Sequence, residues 1–129
     1  MGMYTELIFG ASLRKDTPEE VIHVLQFLIG DRTAPVELPN HPFFGTARYG
    51  HIFSSSSYYF GVSRSLGKMW TDEISNEWVI STRSNLKNYD GEVELFLDWI
   101  KPYISKGSGS REFYAISCYE QDEPNIYYL

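Results

Sequence analysis

The sequence contains few of the residues from which reactive or metal-binding sites are built. It has one cysteine and three histidines in 129 residues, and no glycine-rich phosphate loop. One cysteine cannot form an intramolecular disulfide, and a divalent-metal site normally needs three or four ligands at suitable spacing. The serine run Ser54–Ser57 lacks the glycine elbow of a serine hydrolase. We therefore predict no catalytic residue, no metal and no cofactor, and we favour a non-enzymatic protein.

Long apolar segments and targeting signals are also missing. No apolar run approaches the roughly 18 residues that a membrane span requires. The N-terminal residues show neither the basic region nor the apolar region of a secretory signal. We expect a cytoplasmic protein with no membrane contact, in which residues 1–129 form a single domain.

The balance of charge is acidic. Seventeen aspartates and glutamates stand against eleven lysines and arginines, which gives a net charge of −6. Nucleic-acid affinity comes largely from neutralising phosphates with basic side chains. Nucleic acid is therefore not an expected partner.

Two segments have the pattern of amphipathic helices. In the first, Thr17 and Pro18 are suited to the N-cap and first helical positions, and Gly30 to the end. In the second, Asp90 is a suitable N-cap, and Pro102 predicts a kink or an end.

Alternating or apolar stretches predict the strands. Clear candidates are 4–13, 78–85, 112–120 and 125–129, with a weaker one at 51–53 that could continue through 57–63. Residues 67–72 are expected to form a turn. The resulting order is β-α-β-β-α-β-β. We predict an α+β fold, with a largely antiparallel sheet, two amphipathic helices on one face, and the ferredoxin-like sandwich as its topology.

Several stretches together resemble a known group of proteins. They are Met3–Ala11, Ser81–Tyr89, Phe96–Tyr103 and Glu123–Leu129. In these the chain resembles small hypothetical proteins of Gram-positive bacteria and their phages or mobile elements. The resemblance implies no activity, cofactor or catalytic residue. It implies only an accessory or phage-related role.

The segment 38–62 combines aromatic side chains with Arg48, His41 and His51, and prolines and glycines interrupt its first part. Three interpretations remain open, namely core packing, a protein interface and base stacking with nucleic acid. The residues around Phe43 lack the alternation that would bury them, and exposed aromatic clusters usually bind something. We predict that four residues are at least partly exposed and bind a protein partner: Phe43, Phe44, Arg48 and Tyr49.

The functional hypothesis is a small accessory protein that binds an unidentified protein partner. The alternative is a small-molecule-binding protein or enzyme with a pocket between residues 31–50 and the sheet. An anion site from Arg83, Asn85 and Lys87 is a further candidate. A homodimer is also expected if the apolar strand Ile126–Leu129 lies at a sheet edge, because unpaired edge strands invite pairing.

Overall fold

The computed structural model describes residues 3–55, 66–107, 112–120 and 122–129. Within these ranges the regular elements follow the predicted β-α-β-β-α-β-β order. They are β1 (Thr5–Ser12), α1 (Glu19–Leu28), β2 (Leu66–Thr71), β3 (Trp78–Leu86), α2 (Glu92–Ile100), β4 (Phe113–Tyr119) and β5 (Asn125–Tyr128). The predicted α+β class is confirmed. None of the helices in the described ranges is long and apolar enough to cross a lipid bilayer.

The strands form one sheet in the order β2-β3-β1-β4-β5, and every neighbouring pair is antiparallel. Strand β3 lies between β1 and β2, and β1 lies between β3 and β4. This is the interleaved pair of split βαβ units that defines the predicted ferredoxin-like arrangement. Strand β5 extends that sheet beyond β4 and forms its edge.

Both helices pack on the same face of the sheet. Leu7 and Phe9, which alternate along β1, are fully buried and belong to one core with the apolar sides of α1 and α2. The ring of Phe9 meets that of Phe96 from α2 edge-on, with the ring centroids 5.2 Å apart. The helices therefore cover one side of the sheet. The apolar residues that meet there recur every second residue in the strands and about every 3.6 residues in the helices.

The helix starts differ from the predicted caps. Thr17 does not cap α1, because its Oγ1 donates to the carbonyl oxygen of Arg14 at 2.6 Å. Asp90 does not cap α2, which begins at Glu92. The amide of Val93 instead donates to Oδ1 of Asn88 at 2.8 Å, and this satisfies one of the free amides at the helix start.

The predicted turn at residues 67–72 is wrong, because residues 66–71 form β2 and the turn follows at Asp72. Most side chains of this edge strand are exposed, so the sequence lacks the alternation that marks a half-buried strand. The predicted strand at 51–53 is also wrong, since a 3-10 turn spans Tyr49–His51 and residues 52–53 continue as a turn. Its proposed continuation through 57–63 lies outside the described residues.

Candidate functional site

The face of the sheet opposite the helices carries the side chains that alternate with the core residues. On β1 these are Glu6, Ile8, Gly10 and Ser12. No described helix covers this side, since both helices belong to the core on the other. We call it the open face.

Four aliphatic side chains lie in a row across the open face from edge to edge, and Arg83 separates the first of them from the other three. The strand register places Leu66 opposite Arg83, Arg83 opposite Ile8, Ile8 opposite Ile116, and Ile116 opposite Ile126. Leu66 is 58% exposed, Ile8 37% and Ile126 47%. We call Leu66, Ile8, Ile116 and Ile126 the aliphatic row. Ile8, Ile116 and Ile126 are direct neighbours in this row, and adjacent apolar side chains that are partly exposed mark interaction surfaces more often than single ones do.

Beside the aliphatic row lies a hollow of about 200 Å³ above Gly10. Ile8, Ser81, Phe113 and Ile116 contribute to its walls. The irregular register of β4 between residues 113 and 115 turns Tyr114 into the core and leaves Phe113 63% exposed. An exposed aromatic ring and an unfilled hollow therefore adjoin on the same face.

The protein's own packing does not require glycine at position 10. A Cβ built there would meet nothing nearer than the carbonyl oxygen of Ile80 at 3.5 Å, an ordinary contact distance. Glycine inside a strand lowers stability, and it often marks a place where another molecule approaches closely. The hollow above Gly10 is therefore a place where another molecule can approach the sheet closely.

The charge on the open face is locally balanced. Nε of Arg83 donates to Oε2 of Glu6 at 2.9 Å, between diagonal neighbours on β3 and β1. The Glu6 side chain is only 13% exposed to solvent. Glu6 and Arg83 therefore cancel each other in the middle of the face, whereas Lys68, which the register places on the same face opposite Ser81, has no carboxylate partner within 4.0 Å among the described residues.

The predicted exposure of Phe43 and Phe44 is wrong. Phe43 is fully buried and Phe44 is 9% exposed. The ring of Phe43 packs against Phe96 and Trp99 of α2, with centroids 5.4 and 6.3 Å apart. These contacts are made by the 3-10 turn Pro42–Gly45. The two phenylalanines thus complete the core on the outer side of α2, and the expectation that they bind a partner loses its basis.

Arg48 and Tyr49 are half-buried, which agrees with the predicted partial exposure, and their binding of a protein partner stays a prediction. The Tyr49 ring packs on Phe43 and Phe44 and so belongs to the same cluster. The Arg48 guanidinium lies over the Tyr89 ring, with Cζ 5.1 Å from its centroid. The aromatic residues 58–60 of the predicted surface lie outside the described residues.

Trp99 of α2 lies beside the 3-10 turn Pro42–Gly45. Trp99 is 5% exposed and meets the Phe44 ring edge-on, at a centroid distance of 5.0 Å. The turn therefore covers it.

The histidines and the cysteine have separate structural environments. Nδ1 of His41 accepts the Phe43 amide, so Nε2 donates to Asp98 at 3.0 Å. His23 Nε2 lies 3.0 Å from the carbonyl oxygen of Thr33. Cys118 is half-buried, with Sγ 3.4 Å from the carbonyl oxygen of Asp122. Among the described residues, no three histidine, cysteine or acidic side chains are grouped as metal ligands would be.

The candidate anion residues separate in the structure. Arg83 pairs with Glu6, whereas Asn85 and Lys87 line a different concavity at the end of β3. Arg48 and His51 form the other side of that concavity. Of residues 31–50, Arg48 is the one in the described lining of this concavity, so the pocket expected between that segment and the sheet stays a prediction.

Sequence reasoning missed the open face. The available signal was Ile8, an apolar residue in the polar half of the β1 alternation. Its alignment with Ile116 and Ile126 depends on the register between strands that are distant in sequence. One sequence does not supply that register.

Comparisons with protein-family models, with curated proteins and with solved structures found no match to this chain.

Proposed function

We propose that this protein is a small, non-enzymatic interaction protein whose open face is its binding surface, and that the partner on this face is a second copy of the chain. The observation that carries the proposal is the aliphatic row, which crosses the sheet on the side that no described helix covers. Burying such side chains contributes on the order of 1 kcal/mol each. Two sheets that pack face to face form a stable layer arrangement.

A second copy fits this face because the exposed Phe113 ring and the hollow above Gly10 lie next to each other on it. Phe113 projects next to the hollow above Gly10, and Ile8 and Ile116 form part of the walls. A two-fold axis passing between Phe113 and Gly10 brings each ring to the hollow of the other copy. Interfaces with two-fold symmetry use the same patch on both subunits, and they are the commonest in soluble oligomers.

Charge supports the same partner. Two chains of net charge −6 repel each other, so a contact surface between them should not add further pairs of like charge. The pairing of Glu6 with Arg83 supplies neutrality in the middle of the open face. An acidic face would favour a basic partner instead.

The test is the solution mass, measured by light scattering after gel filtration across micromolar concentrations. The expected result is a mass twice the 14.9 kDa of one chain. Ile8→Lys and Ile126→Lys place charges in the aliphatic row, and each should weaken the dimer at least tenfold. A mass of one chain at every concentration contradicts the proposal.

Ile74→Lys is the matched control. Ile74 lies in the β2–β3 turn, is almost fully exposed and is not part of the aliphatic row. The same substitution there should leave the dimer unchanged. Equal weakening by all three substitutions would show a general effect of charge rather than contact through the open face.

A further inference from the structure

A second surface feature, at the end of β3 and outside the aliphatic row, has the chemistry of an anion site. It is a concavity of about 200 Å³ between the turn at residues 48–51 and the end of β3. Its lining residues are Tyr4, Arg48, His51, Asn85, Leu86 and Lys87. Three separate segments thus bring an arginine, a lysine and a histidine to one place, and no carboxylate is among the described residues that line it.

Arg48 differs from the other described arginines. Arg14, Arg32 and Arg83 each pair with a carboxylate. Within the described residues, neither Arg48 nor Lys87 has a carboxylate partner within 4.0 Å. The lack of a carboxylate partner is shared by all the described lysines, so what distinguishes this place is that a lysine lies next to an arginine without a counter-charge.

Arg48 and Lys87 each pack against an aromatic ring, which does not neutralise their charge. The Arg48 guanidinium lies over Tyr89, and Nζ of Lys87 lies 5.8 Å from the centroid of Tyr4. A ring face attracts a cation but leaves its formal charge intact. Both groups are therefore held near the concavity with hydrogen-bond donors available to a ligand.

Carboxylates around the concavity are engaged elsewhere, and one of them, Glu6, which lies opposite Asn85 in the register, pairs with Arg83. Glu92 is fully buried and accepts the amides of Asp90 and Arg48, at 2.9 and 3.2 Å. Asp90 Oδ2 accepts the amide of Ala47 at 3.1 Å. These bonds fix the backbone that carries Arg48, and they keep both carboxylates off the concavity lining.

We propose that this concavity binds a phosphate group, either as free phosphate or as the terminal group of a small phosphomonoester. An arginine fork recognises two phosphate oxygens at once, and a lysine adds a compact charge. The volume suits one such group with a short substituent, since pockets for larger ligands usually exceed about 300 Å³. The site does not depend on the aliphatic row.

The test is a titration of ¹⁵N-labelled protein with inorganic phosphate, with chloride replaced so that ionic strength stays constant. Saturable amide shifts should be confined to residues 47–51 and 85–88. Arg48→Gln and Lys87→Gln should each weaken binding about tenfold, as expected for the loss of one charge-assisted hydrogen bond. Lys101→Gln is the control, because Lys101 is exposed and does not line the concavity.

Parallel titrations with glycerol phosphate and with glycerol separate the two sources of the group. Tighter binding of the ester than of inorganic phosphate identifies a phosphomonoester, and the reverse order identifies free phosphate. The proposal fails if the shifts are unsaturable at millimolar phosphate, or if both variants bind as the Lys101→Gln control does. Thermal melting of each variant establishes that it is folded.

Discussion

The buried carboxylate of Glu92 accepts the backbone amide of Arg48 at 3.2 Å and thereby joins the start of α2 to a loop 44 residues earlier in the chain. Its other oxygen accepts the amide of Asp90 at 2.9 Å. Buried polar groups are costly unless their hydrogen bonds are made. This residue therefore holds in place the loop that packs over α2.

Glu92→Gln should destabilise the protein by about 1–3 kcal/mol, because glutamine offers one acceptor oxygen where two amides need one each. Chemical denaturation measures the free energy of unfolding. Glu20→Gln is the control, since Glu20 occupies the first turn of α1 but is exposed. Equal losses from the two substitutions would contradict this role for Glu92.

Substitution of Phe43 should lower the stability of the monomer, whereas substitution of Phe113 should weaken the dimer. Phe43→Ala should cost about 3–5 kcal/mol of unfolding free energy, because it leaves a cavity between the loop and α2. Phe113→Ala should change the stability of the monomer by less than about 0.5 kcal/mol, because the ring is exposed, and it should weaken the dimer. Denaturation below the dimer dissociation constant, together with light scattering above it, separates the two effects. A large loss of monomer stability from Phe113→Ala would place this ring in the core.

The substitution Gly10→Val should change the stability of the monomer and the affinity of the dimer in opposite directions. A Cβ at this position meets only ordinary contacts, and valine favours strands, so the monomer should gain up to about 1 kcal/mol. The same side chain fills the hollow and should weaken the dimer. A variant that is more stable and still fully dimeric would show that the hollow is not part of the interface.

The carboxyl group of Asp72, in the turn between β2 and β3, should have a lowered pKa. The amide of Ile74 and then the hydroxyl of Ser75 donate to Asp72 and lower the pKa of its carboxyl below the ordinary 3.8. A lowered folded-state pKa stabilises the fold above the unfolded-state pKa, and this stability is lost as the pH falls through the folded value. Carboxyl NMR titration should give Asp72 a pKa below 3.8, and Asp72→Asn should reduce the acid sensitivity of stability. A pKa at or above 3.8 would contradict this.

The order of elements and the main strands could be predicted because their patterns are local. The helices of the chain have clear apolar stripes, and Leu7 and Phe9 alternate within one strand. The exposed edge strand β2 has no such pattern and was mistaken for a turn. Phe43 was misplaced because its burial depends on α2, more than 50 residues later in the chain. The aliphatic row and the meeting of Arg48 with Lys87 likewise arise only from tertiary placement.

The most direct test of contact through the open face is an isotope-filtered NMR experiment on a mixture of ¹³C-labelled and unlabelled protein. Such an experiment records only contacts between different copies. We predict cross-peaks between the Phe113 ring of one copy and the methyl groups of Ile8 and Ile116 of the other. Their absence, or intermolecular cross-peaks confined to residues outside the open face, would contradict the account.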